Sequence, residues 1–189
     1  MWPMTNIVQT GDKVLRETAQ EIALTEIKTP KIKNILNKMS AALSQRNDGV
    51  ALAAPQIGVS LRIFIILKEY TKRKPAEEIQ KTLEKKLAEK NKKSAERKKI
   101  ETVVFINPKI TKISKKKQMA REGCLSVDGI FGTTARAEKV TVGAHNEKGE
   151  KFTRGASGLL AQIIQHEMDH LNGVLFTDTA TNLEKISAK

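Results

Sequence analysis

The stretch SGLLAQIIQHEMDHLNGVLF, Ser157–Phe176, decides the reading of this chain. Leu159, Leu160, Ile163, Ile164, Met168 and Leu171 recur at three- and four-residue intervals, the pattern of an amphipathic helix with a wide buried face. Ser157 suits the N-cap and Gly173 the stop just past the last turn. His166 and His170, two of the chain's three histidines, then lie one turn apart on the stripe that carries Leu159 and Ile163. Two imidazoles so spaced suit one metal ion, and Glu167, offset around the helix, suits a general base acting on water there. Histidines on an apolar face also serve as ordinary core residues, so the pair needs a third ligand before it reads as a metal site.

Cys124 is the first candidate for that ligand, being the sole thiol in the chain. A single cysteine also excludes an internal disulfide. The 189 residues suffice for one domain with a substantial core. The longest apolar run, IFIIL at Ile63–Leu67, is far too short for a membrane span and reads as a buried strand. The first residues lack a basic segment followed by an apolar one, so a cytoplasmic location without a membrane partner is the expectation.

The formal net charge is +13, which speaks to partners rather than fold. Between Lys68 and Lys99 stand thirteen Lys or Arg against six Glu, a net of +7. Within it, residues 72–99 carry only a narrow seam, Ile79, Leu83 and Leu87, amid lysine, glutamate, glutamine and alanine. This segment reads as a charged, helix-prone insertion between two strands of a single domain spanning 1–189.

Elsewhere, Thr29–Gln45 has helical periodicity through Ile32, Ile35, Leu36, Met39, Ala42 and Leu43. NDGVALAAPQIGVS, Asn47–Ser60, breaks it and reads as a loop. TVVFINPKITKI, Thr102–Ile113, resumes strand character, and the turn-like NEKG at Asn146–Gly149 separates the two arms of a hairpin. The fold class is α+β: short, mostly antiparallel strands around a central C-terminal metal-binding helix.

GVALAAPQ at Gly49–Gln56, EGCLS at Glu122–Ser126 and QHEMDH at Gln165–His170 together resemble the three motifs of the peptide deformylase family. IVQTGDKVLR at Ile7–Arg16, FINP at Phe105–Pro108 and RAEKV at Arg136–Val140 extend the resemblance over nearly the whole chain outside the insertion. It implies a hydrolase that removes the formyl group from the N-terminal formylmethionine of nascent polypeptides. Cys124, His166 and His170 would bind one divalent metal, natively Fe(II), with Zn or Ni able to take its place. Glu167 would be the base, and the Gln56 amide and the Leu125 N–H the oxyanion donors. Gly49, Val50, Ala51, Glu122, Leu159 and Ile163 would line the substrate site, with Glu122 and Arg136 as a bracing pair. Two positions depart from the family pattern: Ala51 replaces a glycine, and Asp128 replaces a proline after EGCLSV.

Two rival readings stand beside this one. The longer zinc-protease pattern H-E-x-x-H-x-x-G-x-x-H matches from His166 through Gly173 and fails at Phe176. A basic relative that binds ribosomal RNA with weakened catalysis fits the charge, but aromatic residues at 4% are few for base stacking. The family resemblance implies a substrate emerging from the ribosome, and the insertion is a candidate for contact there in place of a basic C-terminal helix, TNLEKISAK being short and weakly basic; a solvated charged segment with no partner is the alternative.

Overall fold

The computed structural model describes residues 6–71 and 100–185, so the insertion at about 72–99 lies outside the described residues. Helix α1, Pro30–Ser44, starts where the sequence predicts. Thr29 is extended at the N-cap, and Pro30 occupies the first turn, where its missing N–H costs nothing. Its Ile32, Ile35, Met39, Ala42 and Leu43 are buried, while Leu36 is only partly covered.

The first sheet is antiparallel, in the order β1 (Ala51–Ala53), β2 (Ile63–Leu67), β3 (Thr102–Ile113), β6 (Lys139–His145) and β7 (Lys151–Ser157). Every residue of β2 is buried, which explains an apolar run without alternation. The β6–β7 hairpin closes through Asn146, as the turn residues predict. A second sheet has the order β4 (Lys117–Cys124), β5 (Val127–Ala137) and β8 (Thr181–Lys185). After α2, the single turn Lys68–Thr71, the remaining helix is α3, Gly158–Leu171, packed against β1, β5, β6 and β7. The architecture is thus α+β, with α3 as its central C-terminal helix. Among the described residues no helix is long and apolar enough to cross a membrane.

Two segments differ from their sequence reading. Residues 51–53 form a strand inside the expected loop, because Ala51, Leu52 and Ala53 pair with Ile66, Ile65 and Phe64. Residues 181–185, read as a polar tail, pair with β5 although every one of them is exposed. Neither segment is long enough for periodicity to announce it.

The stop after α3 uses glycine for two reasons. Gly173 has φ +72°, and a Cβ there would stand 2.5 Å from the Arg16 carbonyl oxygen. Arg62 closes the same end of α3, donating to the Leu171 carbonyl at 3.2 Å and to Asn172 Oδ1 at 3.1 Å. Gly173→Ala combines left-handed strain with a backbone clash. It should cost roughly 2–4 kcal/mol and lower the melting temperature by about 5–15 °C, as read by thermal unfolding. An unchanged melting curve would show that the chain relaxes around the methyl group.

Candidate metal centre

The helical register of α3 places His166 and His170 on one face, with ring centroids 5.0 Å apart and nearly perpendicular. The β4–β5 hairpin delivers Cys124 to them, its register breaking between Gly123 and Cys124. Gly123 is demanded locally, since a Cβ would sit 2.7 Å from the cross-strand Phe131 ring. Cys124 Sγ lies 3.2 Å from His170 Nε2, and the ligand atoms of Cys124, His166 and His170 all lie within 4.8 Å of one another. Ligands held at about 2.0–2.3 Å around one ion stand about 3.3–3.8 Å apart in a tetrahedron, so this set fits a single divalent metal.

Each imidazole is oriented differently. His166 Nδ1 meets Glu122 Oε2 at 3.1 Å. A carboxylate only accepts, so the neutral ring carries its proton on Nδ1 and turns the Nε2 lone pair toward the cluster. Burial alone would depress His166, but contacts with Cys124 and Glu122 outweigh it and raise its pKa. A metal there must therefore displace a proton. His170 is pushed down by burial, by His166 and by Arg136, so it presents a neutral nitrogen, and its Nδ1 has no partner among the described residues.

Glu122 is not at the surface. Its side chain is 2% exposed, and Arg136 binds it bidentately at 2.7 and 2.8 Å. Burial raises its pKa; the bonds from Arg136 and His166 prevail and bring it down to about 2. Arg136 also reaches Asp169 on α3 at 2.6 Å. Glu167 is buried without such help. Burial lifts its pKa to about 7, opposed by His166 and aided by Glu122 and Asp169, and its Oε2 has no partner among the described residues.

Gln56 follows β1 in the tight turn Ala54–Ile57 and is 2% exposed. The Ala53 N–H donates to its Oε1 at 2.8 Å, which fixes the amide so that Nε2 faces Ser126 Oγ at 3.2 Å and Cys124 Sγ at 3.6 Å. Leu125 continues from Cys124 in the hairpin turn, and its N–H has no protein acceptor among the described residues. Gly49 packs so closely that a Cβ would meet the Leu125 side chain at 3.1 Å, which brings the first motif against the second. Ala51 is buried on β1; Val50 and Leu159 are partly buried, and Ile163 is buried in the main core. A cavity of about 720 Å3 lies elsewhere, lined by α1, β3 and the β6–β7 turn and by none of these residues.

Sequence reasoning missed Ser126, Asp169 and Gln165. Ser126 is fully buried beside Gln56, and Gln165 bonds both the N–H and the carbonyl of Ala137, anchoring α3 to the end of β5. Their only signal was a place inside the second and third motifs.

This arrangement defines an α+β protein built around a cysteine–histidine centre able to hold one divalent metal. The polypeptide deformylase family model matches residues 4–186, and the chain belongs to that family. It is 40% identical over 177 residues to peptide deformylase 1A, chloroplastic/mitochondrial, of Arabidopsis thaliana, covering 93% of this chain and 61% of that one. It is 35% identical over 179 residues to the peptide deformylase of Desulforudis audaxviator, covering 95% of each. This chain thus spans about three fifths of the length of the plant relatives it matches. The Met-Ala-Ser-bound peptide deformylase of Acinetobacter baumannii superposes with a TM-score of 0.75 at 29% identity, covering 95% of this chain and 99% of that one.

Glu122→Gln leaves Arg136 buried with half its charge partners and should destabilise the protein by about 3–5 kcal/mol at neutral pH. The depressed carboxylate contributes stability above its ordinary range and loses it as pH falls from about 4.5 toward 2. Urea unfolding at a series of pH values should show this acid-side loss in the wild type and a flatter profile in the variant. Superimposable profiles would mean that Glu122 carries no net stability.

Proposed function

We propose that this chain hydrolyses the formyl group from the N-terminal formylmethionine of nascent polypeptides. The observation that carries the reading is the convergence of Cys124, His166 and His170 with an oriented Gln56 amide and a buried Glu167 carboxylate whose Oε2 has no partner among the described residues. The Acinetobacter relative, bound to Met-Ala-Ser, supports a peptide beginning with methionine as the kind of molecule such a site receives.

In this reading Cys124, His166 and His170 hold one divalent ion, natively Fe(II), with Zn or Ni able to substitute. The ion supplies Lewis acidity and lowers the pKa of water. Glu167 takes the proton of the attacking water and passes it to the departing amine nitrogen, so that formate and a free amino terminus result. Its pKa near 7 suits both halves of that transfer. Gln56 Nε2 and the Leu125 N–H donate to the formyl oxygen as negative charge develops on it. Glu122 holds His166 in register rather than touching substrate. Gly49, Val50, Ala51, Leu159 and Ile163 bound the methionine site. We further propose a cytoplasmic setting and a ribosome contact through residues 72–99; deleting them should weaken ribosome co-sedimentation at low salt and spare small-peptide turnover.

The test is formate release from formyl-Met-Ala-Ser set against cleavage of a blocked internal peptide, after anaerobic purification with metal analysis. Formate release alone is expected; internal cleavage would turn the reading to a protease. Glu167→Ala should keep its metal and lose turnover by roughly a hundredfold or more. The wild-type rate should rise with pH through about 7, because the ionised base is the active form. Near-normal turnover in metal-loaded Glu167→Ala would remove Glu167 from the mechanism.

A further inference from the structure

Three consecutive residues near the N-terminus each donate a hydrogen bond to the backbone that carries the proposed oxyanion donors. The Val8 N–H reaches the Gln56 carbonyl at 2.9 Å. Gln9 Nε2 reaches the Leu125 carbonyl at 3.0 Å, and also the Ile7 carbonyl at 3.3 Å. Thr10 grips the Ser126 carbonyl twice, through its N–H at 2.8 Å and its Oγ1 at 2.9 Å. Val8, Val14 and Leu15 pack in a small apolar cluster with Val127, Phe176 and Cys124, which anchors the segment.

We infer that Val8–Thr10 is a positioning strap that sets the Leu125 N–H and the Gln56 amide relative to one another. Leu125 and Ser126 form a two-residue turn between β4 and β5, joined to Gln56 directly through the Ser126 hydroxyl contact. A turn this short has two soft dihedrals per residue, and the Leu125 N–H swings with them. Bonds from Gln9 and Thr10 to the Leu125 and Ser126 carbonyls restrain those dihedrals. The Gln9 bond also polarises the peptide whose other end, the Ser126 N–H, points at Cys124 Sγ at 3.4 Å. Gln9 and Thr10 are therefore positioning residues, acting through Leu125 and Ser126.

The inference rests on the hydrolase reading for its kinetic consequence but not for its structural one, and the test separates the two. Thr10→Val keeps shape and the N–H bond to Ser126 but loses the Oγ1 bond; Gln9→Leu loses the side-chain bond to Leu125 together with the one to Ile7. The double variant, at wild-type metal content, should lower kcat about three- to tenfold with KM unchanged, the scale of two partly exposed hydrogen bonds felt only in the transition state. Thr10→Ser should recover the Thr10 share. Amide hydrogen exchange at Thr10 and Ser126, whose N–H groups are bonded to the Ser126 carbonyl and to Cys124 Sγ, should quicken in the double variant while β2 stays protected. Wild-type exchange at both amides, acceleration shared by β2, or a raised KM with unchanged kcat would each overturn the strap. Absence of formate release in the wild type would sink the hydrolase reading instead, leaving exchange to decide the strap.

Discussion

The buried carboxylate of Glu122 is the constraint on which the site depends. It sits on β4, its guanidinium partner Arg136 on β5, and its imidazole partner His166 on α3. Taking a carboxylate out of water is expensive, and the expense is met only while both partners stay in place. One group thereby ties the hairpin that carries Cys124 to the helix that carries both histidines. It also selects which ring nitrogen of His166 faces the cluster. Arg136 completes the frame by bonding Asp169, the residue just before His170.

Much of this was readable in the sequence, for reasons that differ by element. α1, α3, β3 and the β6–β7 hairpin announce themselves because a helical stripe or a turn tetrapeptide is a local signal. Cys124 and the two histidines were nameable because few side chains in the chain bind metal well. β1 and β8 were missed because three and five residues carry no period, and β8 buries nothing that hydrophobicity would flag. The grip of residues 9 and 10 on a turn 116 positions away is invisible for another reason. It runs through backbone carbonyls, which every residue possesses.

Of the two positions that depart from the family pattern, Asp128 gains an account. Its carboxylate meets Arg46 at 3.2 Å, and Arg46 is also paired with Asp48. The loop leading into β1 is so tied to the start of β5. Asp128 is mostly exposed, and such a pair contributes little stability by itself. Ala51 pairs with Ile66 on β1 and does not have a positive φ, so the backbone there follows strand geometry that does not call for glycine.

The stop after α3 rests on residues from the opposite end of the chain. Ala19 donates to the Leu171 carbonyl, Gly173 lies against the Arg16 backbone, and Arg16 pairs with Asp178 across 162 positions. Contacts of such separation are slow to form, because the entropy of closing long loops is spent before they return anything. A chain still being synthesised lacks α3 and its stop until residues 158–173 have emerged. A chain interrupted between residues 124 and 166 therefore holds the thiol and lacks both imidazoles, and residues 16–19 lack these partners until residues 171–178 have been made.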